Sequence, residues 1–168
     1  MVGWIRRAVQ GDEPPRPPAR APDGLDEQDR PAALSAKIDN LVLHLNKRAG
    51  QLPAAAMVHA RQLTDTLAAI VATAATRDLD IYAVITVRST LDDYLPTTIR
   101  AYLAVPESQR DTPRASGLTP TQSLHDQIEA LLTAALNVLE AAQRQDVDAL
   151  MTQGAFLTTK FSGSDLDL

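Results

Sequence analysis

The chain has 168 residues and not one cysteine, which excludes disulfides, thiol chemistry and Cys-ligated zinc. Aromatic residues make up only 4% of it, so large rings cannot supply the core. The apolar fraction is nevertheless 45%, most of it alanine and leucine. Such a core is built by helices that approach one another closely. Lysine is scarce, at Lys37, Lys47 and Lys160 alone. The other basic residues are arginines, a bias that together with the abundant alanine suggests a G+C-rich bacterial genome. No apolar run approaches the ~20 residues needed to span a bilayer. The first residues lack the continuous apolar stretch of a standard secretory signal, so the expected compartment is the cytoplasm. The formal charge is −5, and the body carries no basic stripe. Nucleic acid is therefore not an expected partner.

The sharpest positive signal is the tip, "MVGWIRRAVQ", residues 1–10. On a helix at ~100° per residue, Trp4, Ile5 and Val9 fall on one apolar arc with Met1, Val2 and Ala8. Arg6 and Arg7 lie on the other side. A short apolar face with the chain's one tryptophan, set opposite two arginines, suits a helix lying in an anionic membrane interface. A protein partner with a hydrophobic groove would accept the same pattern. The tip is therefore read as a membrane or partner contact, peripheral on the inner membrane face in the first case.

Residues 11–31 hold six of the eleven prolines and one large apolar residue, Leu25, which predicts a disordered, locally extended linker. A helical body follows over 32–162. Leu34, Ile38, Leu41 and Leu45 mark a first helix over 32–49, stopped near Gly50. Ala56, Ala60, Leu63, Leu67, Ile70 and Ala74 form a heptad ladder in a second, over 53–76. "IYAVITV" has strand-like content, but no second strand exists to pair with it. A third helix is predicted over 80–94, with Ile81, Val84, Ile85, Leu91 and Leu95 as its face. "TPTQ", Thr119 to Gln122, reads as a capping box opening a helix to Arg144. Its ladder is Leu124, Ile128, Leu131, Ala135, Val138 and Ala142. Asp146 is a candidate N-cap for a last helix to Phe161, and residues 163–168 are expected to fray.

"LDDYLPTTIRAYLAVP", from Leu91, places Pro96 inside this helical pattern. Proline removes a donor and disfavours helical geometry at Leu95, so a bend or stop is expected there, followed by a short joint helix over 96–103. Tyr94, Ile99 and Tyr102 on this element also suit a docking patch, because tyrosine offers an apolar body with a polar tip. "LDDYLPTTIRAYL" and "DVDALMTQGAFLTTKF" together resemble the C-terminal helical region of the bacterial XpaC-like family, over about 78–161. The resemblance rests on Tyr94, Leu95 and Pro96, then Asp146 and Asp148. The family is named for 5-bromo-4-chloroindolyl phosphate hydrolysis, and some members are associated with toxic-anion resistance. Its members typically carry membrane-spanning segments before the helical part, which this chain lacks. The resemblance implies a bacterial helical protein near a membrane and contributes no catalytic residues.

Chemistry-bearing groups are few. His125 and Glu129 are four apart on one helix, a spacing that fits a metal ligand pair, an acid–base pair or an ordinary surface pair. The Glu-x-x-His motifs of bundle metal sites do not occur. No Gly-x-Ser-x-Gly elbow and no phosphate-cradling glycine loop occur either. Asp92 and Asp93 sit near the expected helix end, where negative charge is unfavourable unless an arginine elsewhere satisfies them. The expectation is thus an all-α bundle of four long helices with a short joint helix. No catalytic residue, metal or cofactor is assigned. The expected role is a non-enzymatic adaptor or scaffold at a bacterial membrane, with envelope or toxic-anion stress as its setting. The alternative is a phosphatase-like or metal-dependent enzyme, suggested by the family name.

Overall fold

The computed structural model describes residues 26–144 and 147–162. These residues form an all-α fold without strands. Four longer helices are present: α1 (Pro31–Arg48), α2 (Ala54–Ala72), α5 (Pro120–Arg144) and α6 (Val147–Ser162). The shorter α3 (Ile81–Ser89) and α4 (Leu95–Ala104) are joined by a π-helical turn, Thr90–Tyr94. The body begins earlier than expected. Residues 26–31, assigned from sequence to the linker, include a 3-10 turn, Glu27–Asp29, and the first residue of α1. Asp29 is buried there because its Oδ2 accepts from Arg88 Nη1 at 2.9 Å.

α2 and α5 form the central seam. Ala56, Ala60, Leu63, Leu67 and Ile70 on one side and Leu124, Ile128, Leu131, Ala135 and Val138 on the other are all buried. The seam is tight because Ala56, Ala60 and Ala135 stand among its larger side chains, letting the backbones approach. α2 and α5 run parallel. His59 near the start of one lies against His125 near the start of the other, and Arg77, just past α2, donates to the Ala142 carbonyl at the far end of α5. α1 packs on α2, and α6 packs on α5 and α3. The α5 start has the predicted capping box: Gln122 N donates to Thr119 Oγ1 at 3.1 Å, and Thr119 N donates to Gln122 Oε1 at 2.9 Å. Gly117, at φ +83°, closes the turn before it, with its N–H on the Arg114 carbonyl.

Two expectations are corrected. Ile81 and Ile85 are exposed, and the buried residues of α3 are Ala83, Val84, Thr86 and Val87. "IYAVITV" is apolar on nearly every side, so spacing alone could not tell which face meets the core. The second correction concerns the stop expected at Pro96; the short helix expected over 96–103 is present as α4. Leu95 keeps helical backbone angles, φ −68° and ψ −45°, and the helix continues through the proline. Proline's ring would meet the carbonyl four residues back in a regular helix. The π turn immediately before it widens the coil, and Leu95 N–H bonds to Thr90 O, five residues back. The bulge absorbs the clash that would otherwise stop the helix.

Candidate functional site

α1 lies alongside the π turn and α4 in the same direction. Lys37 Nζ meets Asp92 Oδ2 at 2.7 Å at one end, and Arg48 and Leu103 line a common cavity at the other. Between these ends the helices do not close. They leave an open groove of about 580 Å³. Its floor is aliphatic: Leu45, Leu91 and Ile99 are buried, and Leu41 and Leu103 are half-buried. The sequence accounts for this shape. Lys37, Leu41, His44, Leu45 and Arg48 follow helical spacing and make one stripe of α1. Ile99 and Leu103, four apart on α4, make the facing wall. Leucine meets leucine here, with no alanine to draw the backbones together. Pro96, without an N–H, also lines the groove.

The rim is cationic. Lys37, Arg48 and Arg100 line the groove against one carboxylate, Asp92, which Lys37 already engages. Arg100 donates to the Thr97 hydroxyl at 3.1 Å, and neither Arg48 nor Arg100 has a carboxylate partner among the described residues. His44, exposed on the same stripe, has Nδ1 3.2 Å from the Asn40 carbonyl. An acidic protein thus gathers unpaired positive charge beside an apolar trough, the usual make-up of a ligand or peptide site.

The structure divides the three residues of the sequence-read docking patch. Ile99 lies on the groove floor. Tyr94 is half-buried and points toward α6, its ring stacked on Phe161 with centroids 5.0 Å apart. Tyr102 is 3% exposed, with its hydroxyl 3.4 Å from Thr121 Oγ1 and the Arg110 guanidinium 4.7 Å above its ring. They therefore do not share one exposed surface. Asp92 is satisfied by a lysine rather than by the expected arginine, and Asp93 accepts from the Thr97 hydroxyl at 3.2 Å. Because the helix runs on through Pro96, neither aspartate sits at a helix end. The tip residues Trp4, Ile5, Arg6, Arg7 and Val9, and the cap candidate Asp146, lie outside the described residues.

Sequence reasoning missed the rim arginines, since nothing along the chain says that residue 48 faces residue 100. It also missed a histidine pair. The rings of His59 and His125 lie 4.8 Å apart at 31°, and His125 Nε2 is 3.9 Å from Glu129 Oε2. His59 Nδ1 is buried without a hydrogen-bond partner. This pair sits on the α2–α5 face, away from the groove. Among the described residues no group of three or more His, Asp or Glu side chains is placed to hold a metal ion. No described helix is long and apolar enough to cross a membrane. Compared with family models, with curated proteins and with solved structures, the chain matches none.

Proposed function

We propose that this chain is a non-enzymatic helical adaptor, held at the inner face of a bacterial membrane by residues 1–10 and presenting the α1–α4 groove to a binding segment. The observation that carries the reading is the groove itself, an aliphatic trough rimmed by Arg48 and Arg100 on a protein of net charge −5. Its chemistry is suited to holding an apolar, acidic ligand. The tip supplies the attachment: Trp4 favours the headgroup level, and Arg6 and Arg7 each contribute about 1 kcal/mol toward anionic lipid. The XpaC-like resemblance supports placement near a membrane and a setting in envelope or toxic-anion stress. A second reading, a phosphatase-like or metal-dependent enzyme, draws on the His59–His125 pair.

Co-sedimentation with vesicles of graded anionic lipid content tests the attachment. Wild type pellets at low salt and is released as salt rises. Trp4→Ala, or Arg6→Glu with Arg7→Glu, stays in the supernatant with an unchanged melting temperature. Wild type remaining in the supernatant at low salt and high lipid would end the membrane part of the reading. Stoichiometric zinc binding lost in His125→Ala would favour the enzyme instead.

A further inference from the structure

The two ends of the chain differ in sign. The tip carries Arg6 and Arg7, whereas residues 163–168, "GSDLDL", carry Asp165 and Asp167 with Leu166 and Leu168. The groove rim is positive, so it repels the tip and attracts the C-terminal segment. We propose that residues 163–168 occupy the α1–α4 groove of their own chain as an extended strand, with Leu166 and Leu168 on its floor and the two aspartates against Arg100 and Arg48.

Three observations fit this occupant. First, alternation: in an extended segment, residues two apart share a side. Leu166 and Leu168 therefore face one way and Asp165 and Asp167 the other, as an apolar floor and a charged rim require. Second, position: α6 ends at Ser162, and Phe161 is stacked on Tyr94, which belongs to the same π turn as the groove-lining Leu91 and Asp92. The segment thus begins on the far side of the helix that forms one groove wall. Third, reach: that helix is about 10–12 Å across, so the way round half of it is about 16–19 Å. With Ser162 the last residue of α6, the three steps from Ser162 to Asp165 span about 10 Å when extended, and the Asp165 and arginine side chains cover the remainder. Ser162, Gly163 and Ser164 are small enough to pass over it. Beyond Asp165, the last residues lie along a groove bounded by Lys37 and Arg48, about 17 Å apart on α1 at 1.5 Å per residue. An external partner would have to displace this segment, and a competitor sharing its alternation of leucine and acid would do so best. The inference involves the opposite end of the chain from the membrane contact, so the two fail independently.

The absence of native cysteine permits a single nitroxide, placed through Ser164→Cys on the full chain. Broadening of the Leu41, Ile99 and Leu103 methyl resonances, undiminished on dilution into unlabelled protein, is the expected result. Arg48→Glu with Arg100→Glu abolishes it, and adding Asp165→Lys with Asp167→Lys restores it. Broadening confined to other faces, none at all, or broadening seen only between labelled and unlabelled molecules would overturn the proposal. So would an undiminished effect in the arginine double variant, provided its circular dichroism and melting temperature match wild type.

Discussion

The α2–α5 seam and the α1–α4 groove are both written in leucine at helical spacing, yet one is closed and the other open. At the seam, Ala56, Ala60 and Ala135 let the facing leucines interdigitate, and every residue of both ladders from 56 to 70 and from 124 to 138 is buried. At the groove, Leu41 faces Ile99 and Leu103 without small residues between them. Long cations stand on both lips, and a proline preceded by a π turn occupies one wall. Bulk without complement holds helices apart. The difference is one of packing: the seam closes over its leucines, and the groove leaves Leu41 and Leu103 half-exposed.

The largest expected effect lies in the seam. Leu67→Ala and Leu131→Ala each remove a fully buried side chain and should cost about 2–5 kcal/mol, read as a lowered denaturant midpoint. Unchanged midpoints in both would mean that the seam is not the stabilising unit. An intermediate effect is expected at the start of α5. Thr119→Ala removes the hydroxyl that caps Gln122 N–H and should cost about 1 kcal/mol in the same assay. The smallest effect belongs to the groove rim. Arg48→Glu with Arg100→Glu should change stability by no more than about 0.5 kcal/mol per site, because both side chains are exposed and an exposed ion pair, the proposed one with Asp165 and Asp167 included, contributes little. A loss rivalling that of Leu131→Ala would dissolve the distinction between the two regions.

The seam was legible in the sequence and the groove was not. Both heptad ladders and the capping box depend on spacing within single helices, and there the buried faces follow from periodicity. The face of α3 was misread at Ile81 and Ile85, though Val84, Leu91 and Leu95 are buried as expected, because Ile81, Val84, Ile85 and Val87 ring the helix with apolar side chains. Pro96 was read as a bend or stop because single-residue chemistry opposes helix at that point. The π turn over Thr90–Tyr94 that accommodates it lies against α1 and, through Tyr94 on Phe161, against α6, contacts that spacing along the chain does not show. Leu41 was placed on an apolar line and Ile99 in a docking patch, but which helices face each other, and how closely, is a property of the assembled bundle. The pairing of His59 with His125 across 66 positions is of the same kind.

Whether the open face binds and the closed one does not can be read from a methyl NMR titration. The recipient is the full chain carrying Asp165→Lys and Asp167→Lys, whose own end is no longer matched to the rim. The ligand is a peptide of residues 162–168 in the native sequence. Progressive, saturable shifts of the Leu41, Leu45, Ile99 and Leu103 methyls are expected, with those of Leu63, Leu67 and Leu131 unmoved. Shifts that centre on the α2–α5 seam, or a groove that stays silent at saturating peptide, would contradict this expectation.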